Sequence, residues 1–125
     1  MINNNFAKCA ILNPNKIESP TNWRSGIKII NTTAFSPDRI YAKFNVHFRG
    51  EIEETIFIAD SKSTEIYLVL GAYIRLVFSI NKNNEKEYVF TVWADGGESY
   101  YNEIKIELEE ILFLKMPNTQ VNEVK

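Results

Sequence analysis

A single cysteine, Cys9, stands in a chain of 125 residues. One thiol makes no intramolecular disulfide and no cysteine-built zinc site. The one histidine, His47, is no metal site by itself, and no nucleophile can be placed beside it from the sequence. A formal net charge of −2 provides no long-range field for gripping nucleic acid. Neither a G-x-x-x-x-G-K nor a G-x-G-x-x-G pattern occurs, so no phosphate-binding loop is expected. The opening MINNNFAKCAILNPNK lacks the long apolar core of a signal peptide. The longest apolar run, Ile66 to Ile80, is short for a membrane span and carries Arg75 inside it. These absences point to a soluble protein of a reducing compartment, taken here as the cytoplasm, with no cofactor and no membrane partner.

What is present is an ordinary globular composition, 45% hydrophobic and 24% charged, with aromatics somewhat high at 13%. The length suits one domain with a single core. The run Ile66–Ile80 organises that core. Its even positions, from Ile66 through Ile74 to Ile80, are all apolar, and its odd positions mix Tyr67, Gly71, Arg75 and Ser79. A period of two puts the first set on one face of a pleated strand. A buried helix competes, because a continuous apolar run does not discriminate by period. Strand prevails on β-branched and aromatic content and on the mid-run Gly71, either as one strand bent there or as two, 66–70 and 73–80. Tyr88–Ala94 is its expected strand partner.

Alternation over Ile40–Phe48 marks a half-buried antiparallel strand with Tyr41, Lys43, Asn45, His47 and Arg49 on its wet face. A hairpin to Thr55–Ala59 follows. A three-residue loop, Arg49-Gly50-Glu51, is expected because it sets Phe48 against Ile52, Phe44 against Ile56 and Ala42 against Ile58. That register turns Glu54 inward, which a bulge at Glu53-Glu54 would relieve. Elsewhere Phe6–Leu12 and Gly26–Phe35 read as strands, the Pro14–Pro20 stretch as a loop anchored by Trp23, and Ser36-Pro37-Asp38 as a turn. Tyr100–Glu109 reads as a strand, and the doubled Glu109-Glu110 shifts its phase, through a bulge or a new strand. A helix over 103–115 is the competitor. Residues 1–26 form an N-terminal strand and loop region, and 118–125 a frayed tail. The sum is an all-β fold in one domain spanning 1–125, an antiparallel β-sandwich or a partly open β-barrel of about seven to nine short strands.

No catalytic constellation stands out, and a non-enzyme is expected. Sixteen acids offer many carboxylate pairs of the kind a glycosidase uses, so none is specific. His47 reads as a surface group among cations. Glu51, Glu53 and Glu54 read as cross-strand charge partners of the basic strand before them, and Glu107, Glu109 and Glu110 as a solvated sheet face or an edge guard. The stretch WADGGESYY is the best site candidate: Trp93, Tyr100 and Tyr101 are rigid rings, with Asp95 and Glu98 as polar groups around a glycine pair. Tyrosines that merely cap the core are the equal alternative.

The expectation is a small protein-binding module, of the kind used as an intracellular inhibitor, immunity-type neutraliser or adaptor, with another protein as partner. A homodimer through sheet edges is also open. The alternative is a carbohydrate-binding β-sandwich, with Trp93, Tyr100 or Tyr101 stacked on sugar rings. An OB-like binder of single-stranded nucleic acid, using Arg39, Lys43 and Arg49, comes last because of the adjacent glutamates.

Overall fold

The structure is a computed structural model that describes residues 5–8, 10–11, 16–18, 24–71, 74–96 and 98–115. The expectations for Trp23, the 118–125 tail and most of the Pro14–Pro20 loop lie outside these residues. Ten strands are described: β1 (Asn5–Lys8), β2 (Ala10–Ile11), β3 (Lys16–Glu18), β4 (Arg24–Ile30), β5 (Arg39–Phe48), β6 (Glu51–Ala59), β7 (Glu65–Leu70), β8 (Ile74–Lys82), β9 (Glu87–Asp95) and β10 (Ile104–Lys115). All pairings are antiparallel, in two five-stranded sheets. The first runs β1-β10-β5-β6, with β3 on the same edge of β10 as β1, and the second runs β2-β4-β9-β8-β7. The sheets face each other without closing into a barrel.

Aromatic rings join the two sheets. Phe44 of β5 meets Phe78 of β8 with centroids 4.4 Å apart and Phe90 of β9 at 5.2 Å, and Tyr88 meets Phe113 at 5.1 Å. Phe44, Phe57, Phe78, Phe90 and Phe113 are fully buried. Tilted pairs at such distances add about 0.5–1.5 kcal/mol each beyond the area they bury.

The apolar run divides as the strand reading allows. β7 and β8 form a hairpin across Gly71, whose φ of 60° is left-handed and incompatible with a continuing helix. The even-position face survives the turn, because Ile66 pairs with Phe78, Leu68 with Leu76 and Leu70 with Ile74. Both arms therefore show the same set to the core. β9 pairs β8 from Arg75–Asp95 to Lys82–Tyr88, as its sequence predicts.

The β5–β6 hairpin differs from expectation. Phe48 pairs with Glu51, so the loop holds two residues, Arg49 and Gly50. Both have positive φ, 54° and 80°, the mark of a type I′ turn, whose twist matches that of the flanking strands. Thr55, Phe57 and Ala59 then oppose Phe44, Ala42 and Ile40, and no bulge interrupts the ladder. Glu54 faces outward beside Asn45, and Ile52, Ile56 and Ile58 go outward with it.

Four smaller departures have local causes. Phe6–Leu12 is two strands, β1 and β2, which join different sheets, and Lys16–Glu18 adds a third short strand inside the expected loop. β4 stops at Ile30 because the buried Asn31 turns the chain. Its side-chain oxygen accepts from the Thr33 amide at 2.9 Å and its side-chain nitrogen donates to the Phe35 carbonyl at 3.1 Å. Tyr100–Glu103 belong to a 3₁₀ helix, Glu98–Glu103, so β10 begins only at Ile104. Finally, the Glu109-Glu110 phase shift is a bulge: Leu108 pairs with Phe44, and Glu110 already pairs with Lys43.

That bulge makes a deletion experiment informative. Removing Glu109 restores plain alternation between Leu108 and Ile111, so the variant folds with native β-sheet circular dichroism and a cooperative melt. Removing Glu107 instead turns Leu108 outward and Glu109 into the core, so that variant melts well below the Glu109 deletion. Equal outcomes for the two deletions would contradict the register.

Candidate interaction surface

The residues of the WADGGESYY stretch separate in space. Trp93 and Asp95 lie on the outer face of the second sheet, since Tyr88, Phe90, Val92 and Ala94 of β9 point inward. Trp93 is half-buried and pairs with Val77, which in turn pairs with Tyr67. Val77 is 1% exposed on this outer face, as expected of an aliphatic group flanked by two large rings. Arg75 binds the Asp95 carboxylate at 2.9 Å and lies 5.0 Å from the Tyr67 ring centre.

Tyr100 and Tyr101 sit elsewhere, in the 3₁₀ helix, and both pack partly against the core. Glu98 opens that helix, and its side chain is outside the described residues. Tyr100 meets Phe48 edge-on at 6.5 Å, and the Arg49 guanidinium lies 4.6 Å from its ring centre. Arg49 also donates from Nε to Glu103 at 2.8 Å, and that carboxylate, ahead of the phenol, holds the guanidinium pKa above its usual value. The arginine thus ties its own left-handed turn to the β9–β10 connection. Tyr100 serves as a cap on the core, with the ring already occupied.

The outer face of the first sheet is an ionic layer. β5 runs between β6 and β10, and Lys43 has a glutamate on each side. Lys43 lies 3.2 Å from Glu54 and 3.8 Å from Glu109, and Asn45 donates to Glu109 at 2.6 Å. Glu54 dominates in raising the Lys43 pKa. His47 has Lys105 directly across the strands, and its ring nitrogen is also 3.1 Å from Glu107. Glu54, Glu107 and Glu109 are therefore partners of β5 side chains across the strands, whereas Glu51 and Glu53 share the face of Phe48 and Val46, away from the basic residues. Among the described residues no group of three or more histidine, cysteine or acidic side chains is placed to hold a metal. No described helix is long and apolar enough to cross a membrane.

Two clefts open at opposite ends of the sandwich. One of about 380 Å³ is lined by Arg39, Asp60, Thr64, Lys82 and Tyr88 among others. Asp60 accepts from the Lys62 and Ser63 amides at 2.8 Å each, which holds its carboxyl below the usual range, and burial raises the Tyr88 phenol. The other, about 280 Å³, lies between Glu51, Ile52 and Glu53 of β6 and Val69, Leu70 and Gly71 at the β7 turn. Each mixes charges or backbone with aliphatic wall and brings together no catalytic set.

Apolar exposure is the most localised surface property. Among the described residues the large exposed hydrophobics are Ile52 (63%), Ile56 (52%), Ile58 (47%), Tyr67 (59%) and Val69 (62%). All five belong to β6 or β7, and these strands are the free ends of their sheets. The two strands run along the same side of the sandwich, where Ile52 and Val69 line the smaller cleft. The isoleucines lie on the outer face of the first sheet, and Tyr67 and Val69 on that of the second. The sequence reading missed this surface because its preferred register buried the isoleucines.

The cap role of Tyr100 has a measurable consequence. Tyr100→Ala lowers the unfolding free energy in urea by about 1–2 kcal/mol, through loss of the Phe48 contact and of buried ring area. A variant as stable as the parent would show that the ring is free for a ligand.

No family model, curated protein or solved structure matches this chain.

Proposed function

We propose that this chain is a non-enzymatic protein-binding module, acting as an inhibitor, immunity-type neutraliser or adaptor, and that it binds through the β6–β7 side. The observation that carries this reading is the confinement of exposed apolar bulk to two neighbouring free strands. Scattered surface hydrophobics need no explanation, but a row of them along a strand that ends its sheet marks an interaction site. Free strand edges bind other chains by main-chain hydrogen bonding, with alternate side chains giving selectivity. The ionic layer on β5 stiffens the sheet that presents β6, and the acids around the hairpin tip favour partners that carry positive charge near the contact.

The test is capture of a defined partner from the native host with the whole chain as bait. Ile56→Ser combined with Ile58→Ser removes exposed aliphatic area without touching the core, so the melting temperature stays within a few degrees while partner affinity falls about tenfold or more. Undiminished capture by the double variant would place the interface elsewhere.

A carbohydrate-binding reading retains one favourable observation. Trp93 and Tyr67 flank Val77 on a pleated outer face, with Asp95 and Arg75 alongside as hydrogen-bonding groups. Tyr100 drops out of this reading because Arg49 covers it. A glycan array read with the parent and with Trp93→Ala decides the matter. Binding that disappears in the variant favours sugar recognition, and an array without signal removes it.

A further inference from the structure

We infer that β6 pairs with β6 of a second copy of this chain, antiparallel about a two-fold axis through Thr55. Ile52 of each copy then lies opposite Ile58 of the other. The inference rests on the protein-binding reading and names the partner of the same edge.

The turn decides which backbone groups are free. In a two-residue hairpin the closing pair, here Phe48 and Glu51, is hydrogen-bonded in both directions. Glu51, Glu53, Thr55, Phe57 and Ala59 therefore direct their amides and carbonyls to β5. Those of Ile52, Glu54, Ile56 and Ile58 point away from the sheet. These are also the residues whose side chains project onto the outer face. One neighbouring strand would satisfy the backbone and cover the isoleucines together. With nine residues β6 is ~30 Å long, and it has no proline, lysine or bulge to blunt it.

Charge chooses the occupant. The glutamates at 51, 53 and 54 all lie in the first half of β6, and its second half, Thr55–Ala59, is uncharged. Antiparallel pairing about Thr55 sets the first half of each copy against the second half of the other. Glu51 falls opposite Ala59, Glu53 opposite Phe57 and Glu54 opposite Ile56, so no glutamate faces another. A parallel neighbour in register would stack them. Lys43 at 3.2 Å already balances the charge of Glu54. The strand is thus complementary to its own reverse, as a two-fold interface requires. Isoleucines 52, 56 and 58 of each copy then lie together on the joined outer face, with the two Glu54 side chains between them. A single strand edge covers less than the ~800 Å² per partner of a standard interface, so the dimer is weak and depends on concentration.

Sedimentation equilibrium of the full chain over a range of concentrations reads the association, and two variants at one exposed position read the register. Ile56→Glu sets a glutamate opposite Glu54 of the other copy twice per dimer and raises the dissociation constant about tenfold or more. Ile56→Lys sets opposite charges together and leaves the dimer at least as tight as the parent. In a Cys9→Ser background, mixing Ile52→Cys chains with Ile58→Cys chains under mild oxidation gives a disulfide-linked pair that neither variant forms alone, because a hydrogen-bonded pair holds its Cα atoms ~5.5 Å apart. A chain that is monomeric at every concentration overturns the inference. So does a dimer that Ile56→Glu and Ile56→Lys affect alike, or one in which the mixed cross-link fails to form. A monomer that still captures a host protein through Ile56 and Ile58 leaves the protein-binding reading standing and removes self-pairing. A monomer that captures nothing through them removes both.

Discussion

Arg49 and Gly50 both stand at positive φ, and the exposed character of β6 follows from that two-residue turn. One more residue in the loop would send Ile52, Ile56 and Ile58 to the core and Thr55 and Phe57 to solvent, because side chains alternate strictly along a strand. A non-glycine residue in the left-handed region is uncommon, and asparagine or aspartate is the usual choice in such a turn. Here an arginine holds it, and its guanidinium is fixed by Glu103 and by the Phe48 and Tyr100 rings. The turn that sets the register of the first sheet is therefore secured by the connection that enters β10.

From that register the two faces of the first sheet acquire different roles. The inner face supplies Phe44, Phe57 and Phe113 to an aromatic core shared with Phe78 and Phe90 of the second sheet. The outer face carries a ladder of polar pairs, with ion pairs of Arg49 with Glu103 and of Lys43 with Glu54 and Glu109 and a hydrogen bond between His47 and Glu107. Partly exposed pairs of this kind contribute little each. Their larger effect is to disfavour alternative registers, since a slip of β6 by one residue would take Glu54 off the face it shares with Lys43. The charged centre of the sheet then gives way at β6 to aliphatic surface, and that boundary is where a partner would seat.

Much of the architecture is legible in the sequence. The alternation in Ile40–Phe48, the division of the apolar run at Gly71, the pairing of Tyr88–Ala94 with it and the phase shift at Glu109 each have a direct counterpart in the sheets. The candidate site was less legible. Trp93, Asp95, Tyr100 and Tyr101 are adjacent in sequence and suggest one recognition loop. The chain instead leaves β9 on the outer face and enters a short helix under the end of the sandwich, which takes the tyrosines away from the tryptophan. The β6 edge was missed for a different reason. Hydrophobic pattern favours burying every isoleucine it can, and Arg-Gly carries none of the Asn-Gly signal that would have argued for the tighter turn.

By itself the sequence determined the fold class and the strand content, because a period of two between turn residues leaves a pleated sheet as the only way to bury so much aliphatic and aromatic bulk. It also excluded an intramolecular disulfide and a cysteine-built zinc site, since one thiol has no partner among these residues. Only the tertiary structure decided which strands end the sheets, that both ends fall on one side, and that the surplus isoleucines gather there. Those properties depend on register and sheet order. They are set by turn conformation and by contacts between residues far apart in the chain, such as Arg49 with Glu103, and no local pattern in the sequence encodes them.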